Sequence, residues 1–537
     1  MTPTPEYDYI IVGAGSAGCV LANRLTEDAD TRVLLIEAGG ADHDPLIKVP
    51  LAWGKMLLER KHDWGYFAEP EDSVAGRAIE CARGKVLGGS SSTNAMAYVR
   101  GDAGDFDRWS RAGLPGWAFE KVLPYFKKSE TWERGADDYR GGNGPLHTEN
   151  FGYKDDISVA YKASALSAGY PDNPDYNGAS LDGFGPTQKT LKGGHRDSTA
   201  RAYLRPALNR PNLTLKLHTM ALRLNLENRR AVTLDISENG KPLTVGAARE
   251  IILSGGVINS PHLLMLSGIG PADHLQTHGI PVLQDLPGVG QNLQDHMSAW
   301  VNYERLSDSP FIQQMRLDRL AVNMVRAYLF GTGPATDFPQ GDMGFIRLTR
   351  SSEVPDIQLL FAAGPMLAHP WFPGVKKCFP NTFSCRAAVL HPDSRGHLAL
   401  ASDDPYQAIR IHQNFFSAPR DMEVLLEGLD IVRSVMTQPA LDPHRGKEIT
   451  PGADVTSREG LEAHIRESSV TVHHPLGTCR MGVDEMAVVD GDLNVRGIDG
   501  LRVVDASVMP DMTSGNINAP VIMIAEKAAD IIKGVSL

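Results

Sequence analysis

The chain has 537 residues, enough to bury more than one core, and its 42% hydrophobic and 22% charged content is that of an ordinary globular protein. A net charge of −12 excludes the basic surface that a nucleic-acid partner requires. No apolar run is long enough to span a bilayer, and strand-like sequence from Tyr7 leaves no room for a secretion signal. The five scattered cysteines form neither a disulfide framework nor a zinc spacing, so a reducing, cytoplasmic location is expected. Tyr9–Val12 reads as a short strand, Gly13–Gly18 as a turn, Cys19–Leu25 as a helix with one apolar face, and Arg32–Ile36 as a second apolar strand. Strands that are apolar throughout suit a parallel sheet covered on both faces.

Residues 60–150 are rich in glycine, aromatic and charged residues and read as long excursions over a scaffold. Apolar strands and helices return at 198–305 and after 465. Between 305 and 450 the texture changes to an amphipathic helix, Leu317–Leu329, and alternating segments such as Asp356–Leu360 and His397–Leu400. Such alternation predicts an antiparallel sheet with one exposed face. The expected fold is α/β: a discontinuous Rossmann-like nucleotide domain over 1–155, 198–305 and 465–537. Into it is inserted an α+β substrate domain with an antiparallel sheet, over 156–197 and 306–464.

Gly13-x-Gly15-x-x-Gly18 sits between a strand and a helix, with Glu37 and Ala38 at the end of the next strand. In that context Gly13 permits the tight turn, Gly15 admits a pyrophosphate to the backbone, and Gly18 lets helix and strand pack closely. Ser16 and Ala17 then open a helix whose free N–H groups face the phosphates, and Glu37 accepts the ribose hydroxyls. The motif predicts a dinucleotide without choosing between FAD and NAD.

Gly84–Asn94 (GKVLGGSSSTN) resembles the first signature of the glucose–methanol–choline (GMC) flavin oxidoreductases, and Gly256–Gly270 resembles the second. Phe106-Asp107-x-Trp109, Leu123–Phe126, Pro392–Gly396 and Asp505–Ser507 add further matches, so the resemblance covers essentially the whole chain. It implies FAD, with Gly84, Val86, Gly88, Gly89 and Ser90 beside the flavin and Asn94 at its reactive face. It likewise implies Ala221 at the adenine, Asp505 and Ala506 at the ribityl-pyrophosphate, and Pro520 near the flavin. Thr93 stands where some members carry the histidine that tethers the flavin, so the FAD is expected to be non-covalent. Val257 replaces a residue that is usually small.

The resemblance also implies a catalytic pair. His474, in Val472–Thr478 (VHHPLGT), precedes the proline, and Asn516, in Gly515–Pro520, precedes an apolar helix, Val521–Ile532. A histidine can take the alcohol proton near neutral pH, while an asparagine amide can hold the oxygen but cannot act as base. The expected reaction is oxidation of a primary alcohol to an aldehyde, with electrons passing to dioxygen or a quinone-like carrier; a GMC-type hydroxynitrile lyase is the alternative. His473 is a secondary substrate-contact candidate, Asn518 a weaker one than Asn516, and His262 and His296 are expected to be structural. No histidine has metal-ligand spacing. The acidic surplus reads as solvated surface, although it also fits a cationic substrate such as choline.

Overall fold

In the computed structural model, which describes residues 7–349 and 351–535, the N-terminal strand β1 (Tyr7–Val12) lies at the centre of the first sheet. Its buried isoleucines need cover on both faces. It pairs in parallel with β2 (Val33–Ile36), and β2 with β3 (Leu213–Lys216). A hairpin, β4 (Thr219–Glu227) and β5 (Arg230–Glu238), leads into the long strand β6 (Lys241–Leu253). The first half of β6 pairs antiparallel with β5, and its second half pairs in parallel with β1 and with β7 (Leu501–Val503).

Three helices abut this sheet's functional end: α1 (Ser16–Leu25), α2 (Gly256–Leu266) and the terminal α3 (Asn518–Lys533). Helix α1 reaches close to β1 because residue 18 is glycine: a Cβ there would lie 1.9 Å from the Gly13 carbonyl oxygen. Helices α1 and α3 pack together, so residues from the two ends of the chain share one wall.

The second sheet is antiparallel, in the order Arg445–Thr450, Met297–Arg305, Thr382–Val389, Ile357–Ala362, Met343–Ile346, Gly183–Gly185. Helix Pro419–Met436 covers its back, with Gly428 so close that a Cβ would meet Ala387 at 2.8 Å. The opposite face closes a cavity of about 1490 Å³ against the first sheet.

Three expectations need correction. Strand Met297–Arg305 belongs to the antiparallel sheet, so the nucleotide unit gives way before residue 297 rather than at 305. Ile357–Ala362 is nearly all buried, because one face meets a helix and the other a cavity, not solvent. His397–Ala399 pairs only with Arg410–His412, away from the main sheet. The amphipathic helix extends over Leu317–Phe330. Among the described residues, no helix is long and apolar enough to cross a membrane.

The anchor of α3 is Glu526, fully buried: Arg24 donates to it at 2.9 and 2.7 Å and the Tyr203 hydroxyl at 2.8 Å, with Lys128 at 3.5 Å. Removing one partner of a buried ion pair strands the other and costs about 3–5 kcal/mol. Glu526→Ala should therefore lower the urea midpoint of unfolding substantially; an unchanged midpoint would show that the anchor contributes nothing.

Candidate active site

The cavity runs between two glycine-built loops at one end and the antiparallel sheet at the other. Gly13 has φ +101°, and a Cβ there would lie 2.5 Å from the Ser254 carbonyl oxygen. Gly89, φ +53°, abuts Gly15, where its Cβ would meet the Gly15 Cα at 2.8 Å. A Cβ on Gly15 itself would meet only Gly89 at 3.9 Å, so this backbone stands open toward the cavity. The first-turn amides of α1 have no intrahelical acceptor, and Ser16 and Ala17 line the same wall.

Glu37 and Ala38 lie on that wall, with the Glu37 carboxylate accepting from Ala14 N at 3.0 Å and Gly39 N at 2.8 Å. Burial pushes its pKa up to about 7, so it favours a partner that donates hydrogen bonds, as ribose hydroxyls do. Asp505 accepts from Ser260 Oγ (2.6 Å), Gly256 N (2.9 Å) and Ser507 N (2.8 Å), tying the start of α2 to the end of β7. Asn94 Oδ1 accepts from Met96 N and from the buried Arg196, which leaves its NH₂ group for a ligand. Gly13, Gly15, Gly84, Gly89, Ser90, Asn94, Ala221, Asp505 and Ala506 all line the cavity. Gly18, Val86, Gly88 and Pro520 do not: they shape the loops and α3 from behind. An elongated cleft with two helix N-termini, a glycine-only approach and a buried acid at one end fits a dinucleotide.

At the other end, Asn516 Nδ2 donates to His474 Nε2 at 2.8 Å. Gly515, φ +132°, makes that possible, because a Cβ there would meet Val99 at 2.7 Å. The His474 amide donates to Asp295 Oδ1 at 2.8 Å, and Thr471 Oγ1 donates to Oδ2 of the same carboxylate. His474 Nδ1 lies 2.9 Å from Nδ1 of His296, whose Nε2 lies 2.9 Å from the Leu390 carbonyl oxygen. A carbonyl only accepts, so His296 carries its proton on Nε2. Burial lowers the His296 pKa to about 3, so the ring is neutral and its Nδ1 is a bare acceptor. His474 must then donate from Nδ1, and its Nε2 is left unprotonated, facing Asn516 and the cavity. Burial, then His296, His473 and Arg83, hold the His474 pKa well below the ordinary histidine value.

His473 takes a left-handed backbone, φ 65°, which turns its ring from the direction of His474; its Nδ1 is buried without a partner, and Arg83 donates to its carbonyl at 2.9 Å. Asn518 instead accepts from Ser16 Oγ at 2.8 Å, joining the starts of α1 and α3. Sequence reasoning did not foresee that His296 meets His474, because nothing local marks a contact between residues so far apart along the chain. Nor did it single out Arg386 as a cavity-lining residue, although a charged side chain inside the apolar strand Thr382–Val389 was a readable signal.

Comparison with known proteins gives the same picture. Residues 7–298 and 392–525 match the two domains described as GMC oxidoreductase. An oxygen-dependent choline dehydrogenase of Photobacterium profundum is 41% identical, over 98% of this chain and 93% of its own length. The mitochondrial choline dehydrogenase of Mus musculus is 42% identical, over 98% and 90%. Among solved structures, pyridoxine 4-oxidase from Mesorbium loti superposes with a TM-score of 0.88 at 33% identity, covering 99% of this chain and 100% of that one. An Aspergillus oryzae formate oxidase studied for its FAD modification superposes with a TM-score of 0.89 at 27% identity, covering 99% of each chain. With matches of this extent, the chain belongs to the GMC oxidoreductase family and is an FAD-dependent alcohol oxidoreductase.

Proposed function

We propose that this chain oxidises a primary alcohol with His474 as the base and Asn516 as the group that holds the oxygen. The observation that carries this reading is the unprotonated Nε2 of His474, 2.8 Å from an amide donor at the wall of the cavity. An alcohol placed between them donates its O–H to Nε2 and accepts from Asn516 Nδ2, so one oxygen satisfies both groups. The proton moves to Nε2 while the carbinol carbon gives up its hydride. Bound FAD supplies the hydride acceptor, flavin N5. His296 is a positioning residue: it accepts from His474 Nδ1 before and after proton transfer and keeps the ring from turning. Asn516 is itself met by Gln358 at 3.4 Å, which supports the orientation of its amide.

Dioxygen as electron acceptor is supported by the names of the bacterial relatives, which are called oxygen-dependent choline dehydrogenases. Thr93 lines the cavity and offers no imidazole to bond the flavin, which supports a dissociable FAD. All five cysteines are free thiols, in keeping with a reducing cytoplasm.

Four experiments test this reading. His474→Ala should retain FAD yet slow anaerobic flavin reduction by an alcohol ~10²–10⁴-fold; full-speed reduction removes His474 from the role of base, and a wild-type flavin that no alcohol bleaches favours the lyase. The base is the neutral ring and its pKa is depressed, so the reduction rate should stay level as pH falls through ~6.5 and drop only in more acidic solution. In His296→Leu the Nδ1–H of His474 loses its acceptor, so the ring is free to turn and its protonated form loses a hydrogen bond. The acid limb should therefore move to still lower pH and the maximal rate fall by roughly tenfold or more; an unmoved limb with an unchanged rate contradicts the positioning role. Gly15→Val places a branched side chain in the open approach to the loops and should give colourless protein; a yellow, active variant would contradict the pyrophosphate contact.

A further inference from the structure

The cavity face of the antiparallel sheet carries an unpaired cation. Arg386 projects from the middle strand between Trp300 and Leu360, its direct cross-strand neighbours. Its guanidinium lies over the Trp300 ring, 5.2 Å from the centroid, and lines the cavity. Among the described residues it makes no ion pair, and the only ionisable group that favours its charge is the neighbouring Cys385 thiol. Burial lowers its pKa to about 10, so it remains protonated at neutral pH. A half-buried guanidinium with no anion beside it is costly unless a ligand supplies one.

The surroundings have the same sign. Arg83 gives the His473 carbonyl one hydrogen bond and its Nε is buried without a partner; burial first, and then the charges of Arg83, Arg386 and Arg60, depress the His473 pKa to about 3. The cavity's carboxylates lie elsewhere. Glu37 and Asp505 are at the nucleotide end, Glu59 is paired with Lys55, and Glu80 lies 3.9 Å from Arg60. Among the described residues that line the cavity, no carboxylate stands on the sheet face to meet a quaternary ammonium. Gln358, which touches Asn516, is opposite Ala388 in register, so Arg386 is its diagonal neighbour on the same face. Diagonal neighbours are ~7–8 Å apart, about the span of a substituted aromatic ring.

We propose that Arg386, held over Trp300, recognises a carboxylate on the substrate, so that this chain oxidises hydroxymethyl compounds bearing an anionic group in preference to cationic alcohols. The inference rests on the alcohol-oxidising reading above and names the substrate class of that same site. The relatives' cationic substrate does not carry over, because the charge facing it here has the wrong sign. Ser384, two residues from Arg386 and on the same face, supplies a hydroxyl to the second carboxylate oxygen.

The test uses the FAD-loaded enzyme and three benzyl alcohols that differ only at the para position: carboxylate, methyl and trimethylammonium. Anaerobic flavin reduction gives a rate-to-affinity ratio for each, and 4-methylbenzoate gives a dissociation constant from the perturbed flavin spectrum. The carboxylate compound should exceed the methyl compound by about 10–100-fold, the range of a charge-assisted hydrogen-bond pair, with the trimethylammonium compound lowest. Arg386→Met, which keeps the stem over Trp300, should erase that preference and the 4-methylbenzoate affinity while the methyl compound stays within a few-fold; Arg386→Lys should restore part of both. Equal ratios in wild type and Arg386→Met, or a preference for the trimethylammonium compound, would overturn the subsite and leave the alcohol chemistry standing. Failure of all three compounds to bleach the flavin would overturn the alcohol reading and this proposal with it.

Discussion

A carbonyl oxygen has no proton to give, and through that fact Leu390 sets the state of two histidines. Its lone pair fixes the proton of His296 on Nε2, which makes the other nitrogen an acceptor and obliges His474 to donate from Nδ1. The nitrogen that faces the cavity is therefore bare before any substrate arrives. Burial gives the arrangement its force, because neither ring can relieve it by taking a second proton near neutral pH. A solvated histidine would sample both tautomers; this one is held in a single tautomer with Nε2 free to accept a proton.

The rest of the molecule can be read as the means of carrying that pair to a dinucleotide. Asn516 reaches His474 from the start of α3, and α3 is held against α1 by the buried Glu526–Arg24 pair. Helix α1 is in turn pinned to β1 by a glycine contact that admits no side chain. The loop that feeds α1 and the loop around Gly89 press together Cα to Cα, so the open side of Gly15 is the cavity side. Electrostatics divide the cleft in two. Buried acids, Glu37 and Asp505, line the nucleotide end, and two guanidinium groups that make no ion pair among the described residues, Arg83 and Arg386, line the cavity with the histidines. That division separates this chain's substrate end from one shaped for a cation.

Much of the fold was legible in the chain because its signals are local. A strand, a glycine turn and a helix follow within nineteen residues of one another from Tyr7 to Leu25, and each is written in residues that cannot be exchanged without steric penalty. The alternation read at Asp356–Leu360 gave the right element, the strand Ile357–Ala362, with the wrong exposure. Period-two patterning records which faces differ, and here both faces are covered, one by helix Pro419–Met436 and one by the cavity wall. Strand Met297–Arg305 was placed with the wrong sheet for a related reason. Its apolar content suits either sheet, and only hydrogen-bond register with Thr382–Val389 decides between them.

By itself, then, the sequence determined the strand–glycine turn–helix unit, the family, and the two motifs whose side chains at positions 474 and 516 meet in the fold. These depend on backbone conformations and short motifs that act over a few residues. Tertiary structure alone decided that His296 stands behind His474, that Gly18, Val86, Gly88 and Pro520 support the cavity rather than line it, and that Arg386 faces substrate space without an anion. Those outcomes rest on contacts between residues tens to hundreds of positions apart, and a linear pattern carries no term for which of many distant partners a buried polar atom will meet.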